Sequence, residues 1–198
     1  SGLAQMASIR GEMREVIDTH FDGEATETFL RRINQDPQFT FENEQAVLDF
    51  SVAALARARP KMDAVFDLLP KAEVLIKPYP DFAASGSGEY HSASEDGSRP
   101  GIYYIAVSEP QLRTQATQQS TLYHETYPGH HLQGAIALEL GDAVYPIARY
   151  LFHAGYGEGW ALYSERLADE LNLYDRPLDR IGLLSDQGAR AARLVIDT

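Results

Sequence analysis

Eight consecutive residues, His124-Glu125-Thr126-Tyr127-Pro128-Gly129-His130-His131, hold three imidazoles and one carboxylate. Imidazole is the commonest metal-binding side chain, and a carboxylate beside it can act as general base toward water that a metal activates. Downstream, Gly157-Glu158-Gly159-Trp160-Ala161-Leu162-Tyr163 carries a second carboxylate at the start of an expected helix. Two histidines and one glutamate leave one position of a tetrahedral ion open, the arrangement of a catalytic zinc. The pattern points to a zinc-dependent hydrolase.

The spacing is unusual. The familiar His-Glu-x-x-His motif sets two imidazoles one turn apart on one helix face, with the Glu as base. Here the next histidine after His124-Glu125 is six residues on. In an unbroken helix His130 would stand well off the face of His124, and His131 would share that face about 10 Å further along the axis. Pro128-Gly129 resolves the conflict. Proline frees a carbonyl one turn back, glycine permits unusual dihedrals, and together they can break the helix and return His130 towards His124. The motif thus reads as His-Glu-x-x-His with a two-residue insertion. His124 and His130 are the expected ligands, and Glu125 is the base. His131 is the competing ligand, or else lies behind the site or donates to substrate. A lone His-Glu or His-His pair is commonly just a solvated helix face. Their concentration around a helix-disrupting Pro-Gly is costly for a purely structural helix.

Glu158 is the expected third ligand, because glycines on either side let another element approach closely; its bland alternative is a carboxylate favouring a helix N-terminus. Glu165, two turns on, shares that face and reads either as support for the site or as a surface ion pair. Tyr156 and Tyr163 are candidates to donate to a tetrahedral oxyanion, with an amphipathic core edge as the alternative. His153 reads as a structural histidine rather than a ligand, Trp160 as a packing anchor, and His20 and His91 have no cluster around them.

These residues need elements to hold them. Met6, Ile9, Met13, Val16 and Ile17 mark one face of a first helix, and Phe29, Leu30 and Ile33 a short second one closed near Asp36-Pro37. Residues 42–69 suggest a long helix or helix pair that Pro60 must kink or break. Residues 72–77, bounded by prolines, and 101–107, aromatic and β-branched, read as strands. Residues 82–100 read as loop with a possible strand near Glu89-Tyr90-His91. One helix carries His124 and its pattern runs on to a stop at Gly141, another runs from near Gly157 to about Leu171, and Pro177 fits the first turn of a third. Ile181, Leu184, Gly188, Ala191 and Val195 form its apolar stripe. That stripe meets no stop signal before Thr198, so further sequence is expected.

The fold class that follows is mainly α with a small β-sheet: a helical N-terminal part over 1–70 and a metal-site part over 71–198, continuous as one domain. With 198 residues and 44% hydrophobic content, a sizeable core is expected. The net charge of −12, from 29 acidic against 17 basic residues, argues against nucleic acid or an anionic membrane surface as partner. The absence of cysteine excludes disulfides and thiolate metal sites. No apolar run approaches the ~20 residues that span a bilayer.

The motifs at 98–104, 124–133, 156–165 and 192–198 resemble those of the mostly bacterial family called domain of unknown function 885, over roughly residues 60–198. Several of its members are labelled lipoproteins. The family is similar to gluzincin-type zinc metallopeptidases, in which two His and a downstream Glu hold zinc. The resemblance implies His124, His130 and Glu158 as zinc ligands, Glu125 as base, peptide bonds as substrate, and a periplasmic or lipid-anchored location, with the cytoplasm left open by the residues themselves. It also implies an extended peptide pairing with the strand before the metal helix, here 103–107, which is expected as an exposed sheet edge with a buried central strand as the alternative. Tyr103, Tyr104 and His131 are the expected substrate contacts, and Tyr163 is expected to assist catalysis. Family members continue past the final Asp-Thr into a segment with a further His. The rival functions are a non-peptidase amide or ester hydrolase using the same site, and a binding module with a vestigial metal site.

Overall fold

The computed structural model describes residues 2–80, 88–150 and 153–197. Helices α1 (Gly2–His20), α2 (Thr26–Ile33) and α3 (Glu44–Met62) come first. Strands β1 (Val74–Pro78), β2 (Gly88–His91) and β3 (Gly101–Ile105) follow. Then come α4 (Gln115–Glu125), α5 (His130–Glu139), α6 (Pro146–Tyr150), α7 (Ala154–Glu170) and α8 (Pro177–Ile196). The architecture is mainly helical with one small mixed sheet, as the periodicity predicts. None of the described helices is long and apolar enough to cross a membrane. The loop expected over 82–100 is described only from residue 88 onward; 82–87 lie outside the described residues.

Two compact units interleave along the chain: residues 1–43, 109–120 and 174–198 form one, and 44–108 and 121–173 the other. The boundary expected near residue 70 does not coincide with either. Sequence windows see neighbours along the chain, whereas these units are assembled from segments far apart in it.

The first unit is built on the apolar faces of α1 and α8. Ile9, Met13, Val16 and Ile17 of α1 join Ile181, Leu184 and Ala191 of α8, with Phe29 and Ile33 of α2, in one buried cluster. Val195, expected to continue the stripe, is partly exposed. A Cβ on Gly182 would fall 1.8 Å from the Ala116 carbonyl oxygen, so α8 meets the start of α4 backbone to backbone.

The second unit carries the chemistry. Pro60 is accommodated in the last turn of α3, which ends two residues later at Met62. Val65 and Leu68, within the stretch 42–69 expected to be helical, are exposed and follow the end of α3. The sheet order is β1-β3-β2. β1 runs parallel to β3, with Val74 opposite Gly101, and β2 runs antiparallel to it, with Tyr90 opposite Tyr103. This corrects the expected edge. β3 is the central strand, paired on both flanks, and its alternating burial puts Gly101, Tyr103 and Ile105 inside. A strand so rich in aromatic and β-branched residues fits the middle of a sheet at least as well as its rim. Among the described residues, β2 is paired on one side only.

Candidate metal centre

Helix α4 ends at Glu125 and α5 begins at His130. The Thr126 backbone N–H and hydroxyl both donate to the Leu122 carbonyl, at 2.8 and 2.7 Å, closing the last turn of α4. Gly129 then passes directly over that turn. A Cβ there would lie 1.9 Å from the His124 carbonyl oxygen and 2.4 Å from that of Tyr123, so only glycine fits. The Pro-Gly break therefore does what the spacing demands, and the rings of His124 and His130 meet edge to face with centroids 4.8 Å apart.

Helix α7 brings the second carboxylate. Glu158 lies in its second turn, beyond the start at Ala154. One of its oxygens is 3.3 Å from His124 Nε2 and the other 3.7 Å from His130 Nε2. Two ligands at about 2.0–2.1 Å from a tetrahedral ion sit roughly 3.3–3.4 Å from each other. Ligand atoms of His124, Glu125 and His130 also lie within 4.8 Å of one another. The donor set, two imidazole nitrogens and a carboxylate, suits zinc in chemistry and in spacing.

The other nitrogen of His124 is engaged from behind. Nδ1 is 2.8 Å from the Oε1 of Glu165, whose side chain is fully buried. Of the two readings of Glu165, the surface ion pair is excluded by that burial. Helical geometry explains the placement: residues 158 and 165 lie on one face two turns apart, so α7 presents one carboxylate to each side of the same ring.

Glu125 stands beside the cluster. Burial pushes its carboxyl up to about 7, and Glu158 and Glu89 add to this, while His124 and a hydrogen bond from the Tyr90 backbone N–H oppose it. Burial and the neighbouring His124 hold His130 below the usual imidazole range, which favours the neutral ring. A cleft of about 350 Å³ opens over these groups, lined by Glu89, Tyr90, Gln133 and Gly134 as well as His124, Glu125, His130 and Glu158.

The remaining candidates fall elsewhere. His131 is fully buried, with Nδ1 3.0 Å from the Tyr90 hydroxyl and Nε2 3.1 Å from both the Ala72 carbonyl and the Tyr127 hydroxyl. Both of its nitrogens are committed within the protein, so it is neither a ligand nor a substrate contact in this arrangement. Tyr103 is buried in the central strand, out of reach of substrate. Tyr104 is half-buried and stacks on Tyr79 at 5.7 Å. Tyr163 is exposed, leans on Trp160 at 5.8 Å and is not part of the cleft wall. Five residues along a helix put it about 140° around from Glu158. Trp160 does more than pack, since its indole N–H donates to the Pro128 carbonyl at 2.9 Å. Sequence reasoning missed Tyr90. Its N–H reaches Glu125 and its hydroxyl reaches His131, and nothing local in the sequence signals either contact.

The profile of the family described as "Bacterial protein of unknown function (DUF885)" matches residues 1–198. Among solved structures, "the putative lipoprotein from Colwellia psychrerythraea" is similar at a TM-score of 0.89 and 32% identity, over 99% of this chain and 35% of that one. "A putative lipoprotein of unknown function from Shewanella oneidensis" shares the fold, with a TM-score of 0.60 at 17% identity, over 93% of this chain and 36% of that one. The chain thus spans about a third of the length of these two structures. No curated protein matches it.

Proposed function

Because the chain belongs to the bacterial DUF885 family, whose function is unknown, we propose from its own geometry that it carries the zinc site of a hydrolase, most simply a gluzincin-like peptidase. The observation that carries this reading is the convergence of His124 Nε2, His130 Nε2 and both Glu158 oxygens at ligand-to-ligand spacing, with Glu125 alongside. A zinc ion there would polarise the scissile carbonyl and make water acidic near neutral pH. His124, His130 and Glu158 would hold it. Glu125, whose ordinary acidity is weakened by burial, takes the proton from water and passes it to the departing amine. The Tyr90 N–H holds that carboxylate in place.

The substrate strand is reassigned from β3 to β2. An extended peptide can add to the flank of β2 that is unpaired among the described residues, and Glu89 and Tyr90 of this strand line the cleft. Backbone pairing of this kind gives affinity with little regard to side chains. The lipoprotein descriptions of the two structural relatives support a location at the bacterial envelope.

The test is metal content together with turnover. Purified wild type should hold one zinc per chain by elemental analysis and cleave peptides from a quenched fluorescent library. Zinc-loaded protein that cleaves small esters but no peptide would transfer the reading to the ester hydrolases, and absence of zinc would remove it.

A further inference from the structure

We propose that Glu165 is the positioning residue of this metal centre, an inference that rests on the zinc reading above. The Oε1 of Glu165 lies 2.8 Å from His124 Nδ1, so a hydrogen bond between them puts the proton of a neutral ring on that nitrogen. The Nε2 lone pair is then left to face Glu158, 3.3 Å away. Glu165 thereby selects the tautomer that can bind zinc, fixes the ring plane and strengthens Nε2 as a donor.

Apart from Glu165, the buried face of α7 is small or apolar, with Gly157, Ala161, Ser164, Leu167 and Ala168. Burying a carboxylate among such groups is costly unless a partner compensates it, and an apolar residue of similar volume is often as stable. The imidazole it faces is one of the proposed ligands. Helix α7 therefore supplies both a ligand and, two turns on, the group that aims a ligand of α4.

The test is zinc affinity of the full chain, measured by competition with a chromophoric chelator, for wild type, Glu165→Gln, Glu165→Met and His124→Ala. The expected result is a roughly tenfold loss for Glu165→Gln and a loss approaching a hundredfold for Glu165→Met, with the zinc-free melting temperature of Glu165→Gln close to wild type. Wild-type affinity in both Glu165 variants, while His124→Ala loses zinc, would overturn the inference and leave the zinc site standing. If wild type itself binds no zinc, the metal reading falls and this inference falls with it. Nitrogen-15 NMR of wild type gives a check that needs no variant: His124 should carry its proton on Nδ1, and an Nε2-protonated ring would overturn the assignment even if zinc binds.

Discussion

The indole N–H of Trp160 donates to the carbonyl of Pro128 at 2.9 Å. It ties the helix that carries Glu158 to the short break between His124 and His130, so the three proposed ligands share one brace. Replacing Trp160 by Phe keeps most of the packing and removes the donor. The expected cost is about 1–2 kcal/mol of stability, read by denaturant unfolding, with weaker zinc binding and unchanged stoichiometry. Unaltered zinc affinity in Trp160→Phe would show that the brace does not serve the site.

Single substitutions at the ligands should separate from those at their neighbours. His124→Ala, His130→Ala and Glu158→Ala are each expected to lose stoichiometric zinc by elemental analysis. His131→Gln should keep it and melt earlier, because it disturbs buried hydrogen bonds to Tyr90, Ala72 and Tyr127. Zinc lost from the His131 variant and retained by the His130 variant would reverse the assignment.

Glu125→Gln should keep zinc and fold while turnover falls by roughly a hundredfold or more, since an amide cannot take up the proton. Steady-state cleavage of a fluorogenic peptide measures this. Wild-type turnover would take Glu125 out of the mechanism.

Gly129→Ala tests the break itself. The added methyl would sit 1.9 Å from a backbone oxygen, which no side-chain rotation relieves. Overpacking of this kind typically costs about 1–3 kcal/mol or more. The variant should melt lower than wild type and hold less zinc, and a normal zinc content at normal stability would mean that the break is dispensable.

Pairing along β2 predicts a backbone signature in inhibition. A peptide hydroxamate should lose roughly fivefold to tenfold in affinity for each main-chain amide that is N-methylated at a paired position, about 1 kcal/mol per hydrogen bond. Equal inhibition constants for methylated and unmethylated peptides would argue against strand addition.

Much of the site is legible in the sequence because its parts are local. A six-residue step between histidines, with Pro128-Gly129 inside the interval, demands a helix break, and the break stands between Glu125 and His130. The seven-residue step from Glu158 to Glu165 puts both carboxylates on one face through helical periodicity alone. The apolar faces of α1 and α8 and the strands β1 and β3 follow from patterns of 3.6 and 2 in the same way.

What the sequence could not contain is which surfaces meet. Edge and central strands have the same composition, so only the pairing of β3 with β1 and β2 shows that β3 is the central strand. His130 and His131 are chemically identical neighbours; the turn after Gly129 gives one to the cleft and sends the other into contact with Tyr90, Tyr127 and Ala72. Glu165 reads either as support for the site or as a surface ion pair until α7 is laid against α4, when its carboxylate is buried against His124. Each of these outcomes depends on contacts between residues tens of positions apart, and such contacts are set by how faces pack rather than by any local pattern of residue types.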